Sequence, residues 1–170
     1  MPFNLEKDVA VIVSIVIGSE SDLELANKCS GTLDSLSITN SIQVLSAHRT
    51  PELLSEHIKE AESSGTKVFI AMAGLAAHLA GSVAAKTLKP VIGVPVDGGP
   101  LKGIDALLST VQMPKGIPVA TFAIGEAGSY NAGLFAVSLI AVSDKEVKKN
   151  LNEFREEQVT KVLNMKLEPN

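Results

Sequence analysis

The sequence predicts an α/β protein in which a parallel sheet of five strands is sandwiched between helices. Short, β-branched apolar runs of strand length alternate along the chain with longer segments of helical periodicity. The first of these runs is apolar at nearly every position, which suits a central parallel strand covered on both faces. Polar and glycine-bearing loops follow the runs, on the rim where such a sheet places its ligands.

Val9 to Ile17 is the first predicted strand, ending in Gly18-Ser19-Glu20-Ser21-Asp22. Leu23, Leu25, Ala26, Leu33 and Leu36 then trace a helix. Ile42–Leu45 is the second strand. The helix after it runs to about Ser64 and stops at Gly65, with Thr50 placed as N-cap and Pro51 as first helical residue, where the missing N–H costs nothing. Lys67–Ala71 is the third strand, followed by a loop through Leu79 and a helix from Ala80 to about Leu88. Val91–Val94 is the fourth. The glycine-rich Asp97-Gly98-Gly99-Pro100 leads to a helix over roughly Gly103–Thr110. Val119–Phe122 is a short fifth strand. Asn131–Val142 is apolar nearly all the way round, so it must be covered on more than one side, and a neighbouring subunit is the expected cover. Ser143-Asp144-Lys145-Glu146 reads as a capping box for a last helix carrying Val147, Leu151, Phe154, Val159 and Val162. The chain reads as one domain over 1–170, with a core at about 9–143 and a C-terminal helix at about 144–164.

The totals narrow the function. A chain of this length buries roughly 70% of its unfolded surface. A net charge of −4 argues against a nucleic-acid partner, and 4% aromatic content leaves few platforms on which bases could stack. A small phosphorylated substrate stays open, because one local Arg can bind it against the global sign. Cys29 is alone, so neither an intrachain disulfide nor a cysteine metal cluster is expected, and a reducing cytoplasm fits. The amino terminus lacks the pattern of a secretion signal, and no stretch reaches the ~18 apolar residues of a membrane helix.

Three of the strand-end loops carry chemistry. Ser46-Ala47-His48-Arg49-Thr50-Pro51 sets a His beside an Arg at a strand-to-helix junction. Arg49 offers a forked, permanent cation for phosphate, and His48 a proton that moves near neutral pH. Ser46 adds a donor. Alone, such a junction also fits a capped helix with a solvated Arg and an ordinary loop His. Ser19 and Ser21 supply hydroxyls at a helix start, apt for phosphate, and Asp22 could accept from a ribose diol; helix capping is the alternative. His78 follows Gly74 among small residues that let a ligand approach the backbone, although a single His on such a loop is more often structural. His57 lies within a helix and is expected at the surface. Gln112-Met113-Pro114 and Gly125-Glu126-Ala127-Gly128 are turn-rich and could close over a ligand. The His residues lack metal-ligand spacing, and neither a G-x-S-x-G elbow nor a G-x-G-x-x-G fingerprint after the first strand is present. Acid/base chemistry on a small anionic ligand, without a cofactor, is what remains.

Taken together, Gly18-Ser-Glu-Ser-Asp22, Ser46-Ala-His-Arg-Thr-Pro51, Ala76-Ala-His-Leu79, Gly93-Val-Pro-Val96, Val111-Gln-Met-Pro114, Gly116-Ile-Pro-Val119 and Ala123-Ile-Gly125 resemble one family. It is the purine-biosynthetic N5-carboxyaminoimidazole ribonucleotide mutase, the catalytic subunit of bacterial phosphoribosylaminoimidazole carboxylase. The resemblance runs in order from about Val9 to Leu163. It implies a flavodoxin-like three-layer αβα sandwich, a homo-octamer with active sites at subunit contacts, and transfer of a carboxyl group from the exocyclic nitrogen to C4 of the aminoimidazole ribonucleotide. No metal, nucleotide or biotin is implied. By position, His48 matches the catalytic acid/base, and Ser19, Asp22 and Arg49 match substrate-binding positions, with Ser21 and Ser46 nearby. Gly74, His78 and Leu79 are counted with the substrate-binding set. The resemblance departs at Met72-Ala73-Gly74-Leu75, where the family has a glycine-rich segment, and at Ala80, where a Pro is common. Met72 and Leu75 would narrow the loop bordering the carboxylate pocket. The alternatives are the sister enzyme that uses free carbon dioxide, which usually carries S-A-H-K where this chain has Arg49, and a non-catalytic flavodoxin-like binding module.

Overall fold

The computed structural model describes residues 10–165. Five parallel strands, β1 (Val13–Ile17), β2 (Asn40–Val44), β3 (Val68–Ala73), β4 (Val91–Pro95) and β5 (Ala120–Thr121), lie in the order β2-β1-β3-β4-β5. Six helices connect or flank them: α1 (Leu23–Ser35), α2 (Pro51–Ser63), α3 (Leu79–Ala84), α4 (Ile104–Val111), α5 (Glu126–Ala141) and α6 (Lys145–Leu163). A single 3-10 turn, Glu20–Asp22, precedes α1.

The three central strands are buried on both faces, and the period of two sends alternate side chains to different layers. Val13, Ile15, Ile17, Ile70 and Met72 pack with Ala26, Cys29 and Leu33 of α1 and Ala132, Ala136 and Val137 of α5. Val16, Phe69 and Ala71 pack on the opposite side with Leu54 and Ile58 of α2 and Leu79 and Val83 of α3. This is the predicted three-layer sandwich. Burial pushes the Cys29 thiol up to about 12, so it acts as a core residue.

The first strand is shorter than predicted. It starts at Val13, and Val9 lies outside the described residues. The helix predicted over Ala80–Leu88 ends at Ala84 and leaves Leu88 fully exposed ahead of Pro90. Helix α5 starts at Glu126, five residues before the predicted Asn131. Its glycines suggested a turn, but Gly125 is the N-cap, and Gly128 is helical and small because a Cβ there would meet the Ala123 carbonyl oxygen at 1.7 Å. Helices α1 and α6 of the same chain already cover much of α5, leaving Ala132, Ala136 and Val137 wholly buried.

Two caps differ from expectation. Thr50 stands at the N-cap of α2 with a non-helical backbone (φ −137°, ψ 50°), but its hydroxyl is taken: it accepts from the Ser46 N–H (3.0 Å) and donates to the Ser46 carbonyl (3.1 Å). At α6 the cap is Asp144, whose carboxylate accepts from the N–H groups of Glu146 and Val147 at 3.0 and 3.1 Å. Ser143 stands one residue too early to cap, and its hydroxyl turns back to the Ile140 carbonyl.

His57 is not a free surface residue either. On α2 it faces the sheet and meets the fully buried Ser14 hydroxyl of β1 at 2.8 Å. Desolvation lowers its pKa, and Glu60 pulls weakly the other way.

Candidate active site

In the order β2-β1-β3-β4-β5 the connections diverge beyond β1 and β3, so their carboxyl ends open a crevice. A cavity of about 720 Å³ lies there, a size suited to a small phosphorylated ligand. Its walls are the loops that leave β1, β2, β3 and β4.

The β1 loop turns at once. The Ser19 hydroxyl accepts from the Ser21 N–H at 3.4 Å, and the Ser21 hydroxyl donates to the Asp22 carboxylate at 3.0 Å. Asp22 is only 6% exposed, and its pKa is raised by desolvation against the opposing pull of Ser21 and the Ser19 backbone. The carboxylate makes no capping bond to α1, so its free oxygen capacity faces the cavity that Asp22 lines.

Beyond β2, Thr50 and Ser46 knit the junction into a rigid turn, in which the Arg49 N–H donates to the Ser46 hydroxyl at 3.1 Å. The Arg49 guanidinium reaches across to the β1 loop and donates through Nη2 to the Gly18 carbonyl at 2.8 Å. One arm of the fork is thereby anchored, which fixes the cation at the cavity wall at reduced entropic cost. His48, beside it, is exposed and meets a second imidazole: its Nε2 lies 2.8 Å from Nδ1 of His78. The two rings stand edge to face, with centroids 4.9 Å apart and planes at 72°. In such a contact one ring nitrogen donates and the other accepts, and the tautomers set which.

His78 comes from the β3 loop, where the Ala77 and His78 N–H groups turn back onto the Leu75 and Ala76 carbonyls at 2.9 and 2.8 Å. Thus Ser19, Ser21, Asp22, Ser46, His48, Arg49, Gly74, His78 and Leu79 all line one cavity. Leu79 does so only from beneath, being 2% exposed and part of the core. Met72, expected to narrow the loop, is wholly buried within β3 and does not line the cavity; Leu75 does. Neither Gln112-Met113-Pro114 nor the Gly125–Gly128 segment lines it. The sequence reading passed over Val96, Asp97, Gly98 and Gly99 of the β4 loop as site residues. The signal was there: polar and glycine residues directly follow an apolar strand on the rim that holds the other loops.

Residues 12–161 match the family model described as AIR carboxylase. The chain is 48% identical over 151 residues to the N5-carboxyaminoimidazole ribonucleotide mutase of Escherichia coli strain K12, covering 89% of each. It is 50% identical over 151 residues to the enzyme of the same name from Haemophilus influenzae, covering 89% of this chain and 92% of the other. The Bacillus subtilis mutase is 48% identical over 152 residues, with coverage of 89% and 94%. Among solved structures, Treponema denticola PurE superposes with a TM-score of 0.82 at 29% identity, covering 89% of this chain and 94% of that one. With the five-stranded fold, the rim cavity and these matches in agreement, the chain belongs to the AIR carboxylase family.

Proposed function

We propose that this chain converts N5-carboxyaminoimidazole ribonucleotide to 4-carboxy-5-aminoimidazole ribonucleotide, an intramolecular carboxyl transfer of purine biosynthesis, with no cofactor taking part. The relatives' shared name supports the substrate. The observation that carries the chemistry is the His48–His78 pair in one cavity with the anchored Arg49.

Arg49 and the hydroxyls of Ser19 and Ser21 hold the phosphate, and Asp22 accepts from the ribose diol. The imidazolium of His48 donates a proton to the carbamate nitrogen as the N–C bond breaks. That bond's electron pair stays on nitrogen, and carbon dioxide is released inside the cavity. C4 of the aminoimidazole then attacks the carbon dioxide, forming the new C–C bond and a carboxylate. Neutral His48 removes the C4 proton, which restores the aromatic ring and returns the enzyme to its starting state. One proton is given and one recovered, so the step balances without a further reactant. A group that donates and then accepts must titrate near the operating pH, as imidazole does. Holding the released gas beside its acceptor is a proximity effect. Through its contact with Nε2, His78 orients His48 and holds its tautomer.

The active unit is a homo-octamer in the cytoplasm, with sites at subunit contacts. Exposed Leu101, Ile104, Leu108 and Val111 on and before α4 support association with further copies. Among the described residues no helix is long and apolar enough to cross a membrane. The deciding assay supplies purified protein with the N5-carboxylated ribonucleotide, or with bicarbonate and the unmodified ribonucleotide. C4-carboxylated product from the first alone is expected. Product from the second alone makes the chain a direct carboxylase, and product from neither ends the enzymatic reading.

A further inference from the structure

The cavity has two unlike halves. On the β1 and β2 side stand Ser19, Asp22, Ser46 and Arg49; on the β3 and β4 side stand Leu75, Ala76, Val96 and three glycines, with Asp97 as the one charged group. His48 and His78 meet on the boundary. Leu75 is out of place by every local rule. Its φ of 54° lies in the left-handed region, where the Cβ of an L-residue is crowded. Of the non-glycine residues with positive φ among those described, Ser37, Leu75 and Lys102, it alone lines the cavity. Burial does not repay the strain, because the residue is 55% exposed. What the conformation achieves is a bridge. The Leu75 side chain reaches from the β3 loop to the β4 loop and lies against Gly99, where a Cβ would meet Leu75 Cδ2 at 2.5 Å. Gly99, itself at φ 67°, leaves the space that Leu75 fills. A strained backbone held at a site, with a partner shaped to receive its side chain, points to a role in that site.

We infer that Leu75, seated on Gly99, is a specificity-determining residue: it forms the apolar wall that keeps released carbon dioxide in the cavity until C4 captures it. This rests on the carboxyl-transfer reading above. Carbon dioxide carries no charge and is only a weak hydrogen-bond acceptor, so the donors of Arg49 and the serines give it little hold. An apolar wall beside the histidines excludes water and closes the path to solvent. The wall therefore decides whether the carboxyl group is passed on within one turnover or exchanged with the bulk pool.

The test follows the carboxyl carbon. The full chain turns over substrate labelled with carbon-13 in the N5 carboxyl group, in buffer holding unlabelled bicarbonate. Mass spectrometry reads the label kept in the product, a second assay reads the free aminoimidazole ribonucleotide released, and enzyme-free controls correct for spontaneous loss. Leu75→Ala removes the wall and keeps the loop's need for a left-handed residue; Leu75→Gly removes the strain as well. The parent should keep most of its label. Both variants should leak several-fold more, with KM near the parent's, since the phosphate and ribose are held on the other side. Leu75→Ala retaining label like the parent overturns the assignment, whatever Leu75→Gly does. A parent that itself scrambles its label overturns it too. A parent that makes no C4 product overturns the functional reading and this inference together, so the two failures are told apart by parental turnover.

Discussion

His48 and Arg49 are neighbours in sequence but hold different parts of the problem. Arg49 spends one arm on the Gly18 carbonyl and His48 sets its Nε2 against Nδ1 of His78; in the proposed mechanism the rest of the Arg49 fork takes the phosphate and His48 carries the proton. Substitution should separate them. His48→Asn keeps approximate size and hydrogen bonding but cannot carry a proton at neutral pH. It should bind the ribonucleotide as the parent does while turnover falls by roughly 10²–10⁴. Arg49→Ala should do the reverse, weakening binding by roughly 1.5–3 kcal/mol through loss of a charge-assisted contact. His78→Asn should cost less turnover than His48→Asn, because it removes a positioning partner and leaves the acid/base in place. Calorimetry and product formation measured on each protein check this pattern. A His78→Asn loss larger than that of His48→Asn would move the acid/base role to the β3 loop.

The elements show why some of this was legible and some was not. Ser46-Ala47-His48-Arg49 could be read directly, since a strand, a turn and a Pro-started helix within a few residues fix where the side chains emerge. The His48–His78 contact could not. It depends on β3 lying next to β1, so that the loop after β3 meets the junction after β2 across the crevice. The Leu75–Gly99 bridge likewise joins two loops whose adjacency is set by β3 pairing with β4. His57 was misjudged for the same reason: its place on α2 was plain, but the buried Ser14 hydroxyl it meets belongs to another element. That pair makes α2 docking sensitive to acid. The neutral imidazole is favoured in the fold, and the ordinary value of 6.5 is lowered by desolvation. Below pH 6.5 the unfolded chain therefore binds the extra proton first, and the contribution is lost as pH falls through the folded value. His57→Gln retains a hydrogen-bonding group and cannot titrate, so its unfolding midpoint in denaturant should fall less between pH 7 and pH 5 than the parent's. Equal losses in the two proteins would show that His57 does not carry the acid sensitivity.

At the scale of the whole molecule, the apolar surface left on the single chain bears on assembly. Helix α5 suggested a subunit contact from composition; α1 and α6 of the same chain cover much of it, Tyr130 and Phe135 stay exposed, and Leu134 and Leu139 are half-buried against the chain's own core. A charge at either would damage the fold and the assembly at once. Helix α4 separates the two. Ile104, Leu108 and Val111 fall three or four residues apart on one face of α4, with Leu101 in the turn before it, each about half exposed, while Ala106 and Thr110 hold the opposite face to the sheet. A stripe of that kind, beginning two residues after the cavity-lining Gly99, is where a further copy would both bury apolar surface and approach the site. Leu108→Glu should leave the monomer's core untouched, since Leu108 is 54% exposed, and place a charge in the contact. The expected outcome is a folded protein by circular dichroism that sediments as a smaller species than the parent, with turnover reduced in proportion to the assembly lost. A parent that sediments as a monomer would remove the octamer from the functional reading, and an unchanged Leu108→Glu oligomer would shift the contact to the exposed second half of α6, where Val159 and Val162 face solvent.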